Sequence, residues 1–230
     1  TCLRKKNYSK KLNVEKTKKL IDILIKQKIY FIFFSSEYIF DGKKGNYSEK
    51  SKAIPNNIYG KQKLQVENFI RKKAKHYSIF RIGKTYGSNM NDKTLISNFL
   101  MEIINGKLVF KVAYDQIFNP LYVNDLKKIV RIFLKSKIKG TFNVGGPEQL
   151  SRFKVLKLIF QVLGKKIQSK VKFQEISLKE FPTLDNRPLN VSMNIRKLKS
   201  KINFKMKNIR NITLKMVKKN NVKSRIFKRR

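Results

Sequence analysis

The 230-residue sequence contains no Trp, one Cys, one His and only three Ala (Ala53, Ala74, Ala113), and 14 Asp and Glu stand against 55 Lys and Arg. Each scarcity closes a class of explanation. A single cysteine, Cys2, excludes an internal disulfide framework and a multi-cysteine metal centre. The lone His76 sits among Lys72, Lys73 and Lys75 and reads as a solvated helix end, so no metal site is expected. No apolar run approaches the ~20 residues that span a bilayer, and no charged-then-apolar leader opens the chain. Membrane association is therefore not expected, and the location is read as cytoplasmic. The chain opens on Thr1 rather than Met, so its start is expected to be incomplete.

A formal charge of +41 ordinarily points to a polyanionic partner. Here the basic residues are spread over the whole length. Scarce Ala beside abundant Lys, Ile, Asn and Phe is what an AT-biased coding sequence produces. Lysine as the default surface residue is the preferred reading, and nucleic acid is not expected as a partner. No acidic residue follows Asp185. The stretch 218–230 is basic and weakly patterned and reads as a disordered tail.

What the sequence does have is a regular alternation of apolar patterns. The run Ile29-Tyr30-Phe31-Ile32-Phe33-Phe34 has no polar interruption, as in a strand buried on both faces of a parallel sheet. Further strands are expected at 78–82, 108–112 and 141–144, and a short one at 171–173. Helical periodicity marks 13–25, 57–73, 94–104 and 123–134, and Ser151 is placed to cap another helix. Two short helices are expected near 194–200 and 208–218. Strand and helix in alternation argue a parallel sheet covered on both faces. The strand at 29–34 empties into Ser35, Ser36 and Glu37, and Tyr59 and Lys63 follow at a spacing that shares one helical face. Such a set can move protons.

These residues carry a resemblance. Ser35-Ser36-Glu37-Tyr38-Ile39-Phe40-Asp41-Gly42, followed by Tyr59-Gly60 and Lys63, resembles the extended short-chain dehydrogenase/reductase family, closest to its dTDP-4-dehydrorhamnose reductase branch. Four more segments agree in order: Asn13-Val14, Arg81 to Tyr86-Gly87, Asp115-Gln116 to Asn119-Pro120, and Arg187-Pro188-Leu189-Asn190 with Lys197-Leu198. The resemblance implies an α/β fold: an incomplete Rossmann-like, doubly wound parallel sheet lacking the first βαβ units, with a small C-terminal α+β substrate-binding part. It implies a Rossmann-like NAD(P)-binding remainder over 1–145, with 83–117 partly serving the substrate domain, and a substrate-binding domain over 146–217.

The implied activity is NAD(P)H-dependent reduction of a 4-keto nucleotide-sugar in deoxysugar and surface-polysaccharide synthesis. Ser36, Tyr59, Lys63 and Glu37 would be catalytic. A phenol of pKa ~10 needs a neighbouring cation to act near neutrality, and Lys63 is expected to supply it. Tyr59, Lys63, Ser35 and Asn13 would contact the cofactor, NADP or NAD; Arg187, Gln116 and Tyr86 would contact the nucleotide-sugar, with Arg187 on its phosphates. The resemblance admits a homodimer. Two alternatives stay open: a nucleotide-sugar epimerase or dehydratase, which uses the same Ser/Tyr/Lys trio, and a non-catalytic regulatory subunit like that of methionine adenosyltransferase. One family feature is missing. No glycine-rich dinucleotide loop follows a first strand, so the isolated chain is expected to bind dinucleotide poorly.

Overall fold

The computed structural model describes residues 2, 4–182 and 185–228. In chain order, α1 (Lys6–Lys10) runs through a π-helical turn (Lys11–Lys16) into α2 (Thr17–Lys26), followed by β1 (Phe31–Ser36), α3 (Ile58–Lys73), β2 (Tyr77–Ile82) and β3 (Thr85–Tyr86). Next come α4 (Leu95–Ile104), β4 (Val109–Ala113), β5 (Ile117–Phe118), β6 (Leu121–Tyr122), α5 (Val123–Ser136) and β7 (Gly140–Val144). The chain ends with β8 (Leu150–Ser151), α6 (Arg152–Leu163), α7 (Lys165–Gln168), β9 (Lys172–Ile176), α8 (Arg196–Lys199), α9 (Ile209–Lys219) and α10 (Val222–Lys228).

The central sheet is parallel, in the order β1-β2-β7. Alternate residues of its strands feed two separate cores. Phe33 and Ile79 face Val14 and Ile21 of the helical segment before β1 and Val66 and Ile70 of α3. On the other side Phe80, Phe142 and Val144 meet Ile129, Phe133 and Leu198, with Phe133 edge-on to both Phe80 and Phe142 at 4.8 Å. Each such fully buried Phe or Ile contributes about 1.5–3 kcal/mol over an exposed one. Helices thus cover both faces of a parallel sheet, the Rossmann-like arrangement expected. Among the described residues the outer edge of β1 pairs with no strand, and Phe34 stands 46% exposed there.

Strand β1 lies two residues later than the apolar run suggested. Lys28 takes a left-handed conformation and Ile29 donates its N–H to the Leu24 carbonyl at 2.9 Å, so Ile29 still closes the helix before it. Pairing with β2 then carries the strand through Ser35 and Ser36. Another difference lies at the end of the chain. Residues 218–228, expected to be a disordered tail, complete α9 and form α10. Val222 and Ile226, four apart, are buried in the large core that α4, α6 and α9 also build. The last two residues of the expected tail lie outside the described residues. Strands β4 and β9, far apart in sequence, pair in parallel beneath this same core.

Candidate active site

Ser36 ends β1, and its hydroxyl accepts the Tyr38 N–H at 3.2 Å, starting a single 3-10 turn over Glu37–Ile39. That turn is where α3 begins to pack. Asn57 caps α3 by accepting the Gly60 N–H at 2.8 Å. A Cβ on Gly60 would lie 2.1 Å from the Tyr38 carbonyl, so only glycine lets the first turn of α3 approach the strand end. The close approach delivers Tyr59 beside Ser36. Tyr59 and Tyr38 meet edge-on at 6.5 Å, and Lys63, one turn further along α3, sits 5.7 Å from the Tyr59 ring centre. Ser36, Glu37, Tyr38, Tyr59, Lys63 and Lys84 line one open cleft of about 540 Å³.

The electrostatics of the cleft favour neutral acids. Burial raises the Tyr59 phenol above its ordinary value; a hydrogen bond from Ser36 opposes this, and the Cys2 thiol and Glu37 add to it. This differs from the expectation that Lys63 lowers the phenol. The Lys63 ammonium, itself lowered by burial, donates to the Phe34 carbonyl at 2.8 Å instead. Glu37 is 5% exposed, and its Oε2 has no hydrogen-bond partner. Burial pushes it up to about 8 against the attraction of Lys84, so it is mostly protonated at neutral pH.

Lys84 on the cleft wall has further cations near it. Strands β5 and β8 pair, the Ile117 N–H bonds the Leu189 carbonyl, and the Val191 N–H bonds that of Ile117. This stitching draws the segments at Gln116, Arg152 and Arg187 to one place. Leu121 N–H bonds the Lys84 carbonyl, adding the loop after β2. Both Arg152 and Lys84 are lowered first by burial and then by neighbouring positive charge: Arg187 for Arg152, and Arg152 with Arg187 for Lys84. Three like charges that depress one another, beside a largely neutral Glu37, are of the chemistry that suits an anion. Arg152 had no sequence signal beyond being a basic residue at a helix start; it joins the cluster only because β8 pairs with β5.

The remaining candidates fall elsewhere. Ser35 belongs to the cleft lining, but its side chain turns away from that of Ser36, as strand alternation requires, and its hydroxyl donates to buried Glu67 at 2.5 Å. Asn13 sits in the π-helical turn and donates to Gln62 of α3 at 2.9 Å, docking the first helices onto α3. Tyr86 is buried in the large core against Tyr122, with its hydroxyl unpartnered and its pKa raised by burial, and it does not line the cleft. Gln116 is 5% exposed, and its Oε1 has no partner. Asn119 bridges loops, donating to the Gly146 carbonyl and accepting the Met193 N–H at 2.6 Å. Among the described residues no His, Cys, Asp and Glu group could hold a metal, and no helix is long and apolar enough to cross a membrane.

A dinucleotide fits this site at one end only. Lys63 uses one ammonium proton on Phe34, which leaves two donors for a ribose hydroxyl, and Tyr59 stands beside it. The glycine-rich loop that would cradle a pyrophosphate is not in the sequence.

Comparison with known proteins bears on the fold and the family. The chain is 26% identical over 197 residues to the dTDP-4-dehydrorhamnose reductase of Sinorhizobium fredii, covering 81% of this chain and 64% of that relative. It is 28% identical over 133 residues to methionine adenosyltransferase 2 subunit beta of Rattus norvegicus, covering 55% of this chain and 40% of the relative. The chain thus spans less than two thirds of the length of these curated relatives. A dTDP-4-dehydrorhamnose reductase structure from Yersinia enterocolitica superposes with a TM-score of 0.84 at 20% identity, over 94% of this chain and 76% of that one. The structure of the Bacillus anthracis reductase, in complex with NADP, gives 0.81 at 21% identity over 95% of this chain and 75% of that one. A family model described as RmlD substrate binding domain matches residues 2–222. The chain belongs to the RmlD substrate binding domain family.

Proposed function

We propose that this chain carries the proton-donating and substrate-binding half of an NADPH-dependent reductase acting on a 4-keto nucleotide-sugar of the dTDP-4-dehydrorhamnose kind. The observation that carries this reading is the convergence of Ser36, Tyr59 and Lys63 on one cleft whose phenol is held protonated. Reduction of a ketone places negative charge on its oxygen, and that charge needs a hydrogen-bond donor and then a proton. A bound nicotinamide supplies the hydride. Ser36 hydrogen-bonds the carbonyl oxygen, and Tyr59 gives it the proton. The phenol carries its proton at neutral pH, as this direction requires; burial makes it a weaker acid, which the nearby Lys63 has to offset. Lys63 holds a ribose hydroxyl and lies close enough to ease the negative charge left on the phenol. The Lys84, Arg152 and Arg187 cluster anchors the substrate's diphosphate, so that the sugar reaches back to Ser36.

The epimerase or dehydratase reading and the regulatory-subunit reading rank below this one. The Sinorhizobium fredii reductase matches over 81% of this chain and the subunit beta of Rattus norvegicus over 55%, and a regulatory subunit would not need Ser36, Tyr59 and Lys63 on one cleft. The test is product analysis. The protein is incubated with NADPH and, in separate reactions, dTDP-4-dehydrorhamnose, dTDP-glucose and a UDP-hexose. Oxidation of NADPH, supplied at millimolar concentration to offset the weak dinucleotide binding expected of this chain, with only the first sugar consumed is expected. Conversion of either of the others, or none of the three with the dTDP-sugar failing to bind by calorimetry, would overturn the assignment.

A further inference from the structure

Behind the cleft lies a buried ionic knot that the proposed chemistry does not use. Glu67 is fully buried on α3, and one carboxylate ties three elements together. Its Oε1 accepts the Ser35 hydroxyl of β1 at 2.5 Å, and its Oε2 accepts from Arg81 of β2 at 2.9 Å and from Arg71 of α3 at 2.8 Å. Arg81 also reaches the Glu49 carbonyl at 3.1 Å. Ser35 and Arg81 are register partners across the sheet, so the carboxylate grips a matched pair.

The placement of Glu67 matters because of what shares its helix face. Tyr59, Lys63, Glu67 and Arg71 recur at four-residue intervals, which puts them in one row along α3. Ser36, the partner of Tyr59, directly follows Ser35. The Glu67–Ser35 bond therefore fixes both how far α3 sits along β1 and how it is turned about its own axis. Besides the Lys63 bond to the Phe34 carbonyl, it is the side-chain tie between α3 and β1 that lies nearest the Tyr59–Ser36 pair.

We propose that Glu67 is a positioning residue that, through Ser35, sets the approach of the Tyr59 phenol to the Ser36 hydroxyl. This rests on the Tyr59–Ser36 pair of the proposed function, but it concerns the ligand-free chain. Its success or failure is read without substrate. A displacement of about 1 Å at reacting groups costs on the order of 100-fold in rate, so a clamp of this kind has work to do in any chemistry the pair performs. The network also has a cost. Breaking a buried pair by removing one partner is strongly destabilising, so Glu67→Gln risks unfolding the chain and Ser35→Ala is the primary probe.

The experiment is an NMR titration of Tyr59 with ring-labelled tyrosine, assigned by Tyr59→Phe, in wild type, Ser35→Ala, Ser35→Thr and Glu67→Gln. The groups facing the phenol are Ser36, Glu37, Tyr38, Cys2 and Lys63, none of which these substitutions change. The expected result is that Ser35→Ala raises the Tyr59 pKa by about half a unit or more, roughly threefold in the dissociation constant, as the bond from Ser36 weakens. Ser35→Thr, which keeps the hydroxyl, should restore the wild-type value. Glu67→Gln should reproduce the Ser35→Ala shift in whatever fraction remains folded. A folded Ser35→Ala chain with an unchanged Tyr59 titration would overturn the proposal, whatever its melting temperature. So would a shift that Ser35→Thr does not reverse.

Discussion

Replacing Glu37 with Gln should change how stability depends on pH more than it changes stability itself. The carboxyl is 5% exposed with one oxygen unpartnered, and burial lifts it from an ordinary value of 4.5 to about 8. Between those values the folded chain holds a proton that the unfolded chain has lost. The folded state binds more protons, so stability falls as pH rises through the window. The slope is about 1.4 kcal/mol per pH unit and the total is roughly 5 kcal/mol. Glutamine has nearly the same shape and does not titrate, so the variant should lose this component and no other. The assay is urea unfolding of both chains from about pH 5 to about pH 9, reading the stability difference at each point. The difference should grow in favour of Glu37→Gln across the window and level off above about pH 8. Parallel profiles would mean that Glu37 ionises normally and that its burial is relieved in solution.

Three further outcomes follow from the same structure. Gly60→Ala should destabilise the chain by about 2–4 kcal/mol in urea unfolding, because the added methyl meets the Tyr38 carbonyl at 2.1 Å; a gain of about 1 kcal/mol, as on an unobstructed helix, would show that the approach is loose. Arg152→Ala should weaken dTDP binding, measured by calorimetry, at least about tenfold, and raised salt should shrink the gap; equal affinities would remove Arg152 from the anion site. The 230-residue chain should bind NADPH more weakly than about 100 µM in a fluorescence titration, since no glycine-rich loop is present to hold the pyrophosphate; micromolar binding would contradict the fit described for Lys63 and Tyr59.

The sequence was most legible where local pattern and tertiary need agree. The spans 57–73, 78–82, 94–104, 123–134 and 141–144 each coincide within two residues with an observed helix or strand. Ser151 caps α6 as its position suggested, accepting the Lys154 N–H at 3.1 Å. The proximity of Ser36, Tyr59 and Lys63 could be anticipated because a strand end and the next helix of a parallel sheet meet there. What could not be read depends on contacts distant in sequence. Nothing near Arg152 indicates that β8 will pair with β5 and bring it to Arg187. Ser35 looks as polar and available as Ser36, and only the alternation of β1 against α3 sends it to Glu67. The basic end of the chain hides two apolar residues four apart, Val222 and Ile226, whose burial becomes worthwhile only once α4 and α6 present a core. Lys63 shows the same limit in electrostatics. Its position was foreseeable, but its bond to the Phe34 carbonyl was not, and burial rather than the ammonium decides the phenol's proton affinity.

The central claim is that Tyr59 gives its proton to a substrate oxygen held by Ser36. Its most direct test is the rate of dTDP-4-dehydrorhamnose reduction by NADPH in the wild-type protein, Tyr59→Phe and Ser36→Ala, with folding checked by circular dichroism. Tyr59→Phe should slow the reaction by about 10²–10⁴-fold with substrate affinity retained, and Ser36→Ala should fall in the same range. A folded Tyr59→Phe protein that reduces the sugar at the wild-type rate would contradict the account.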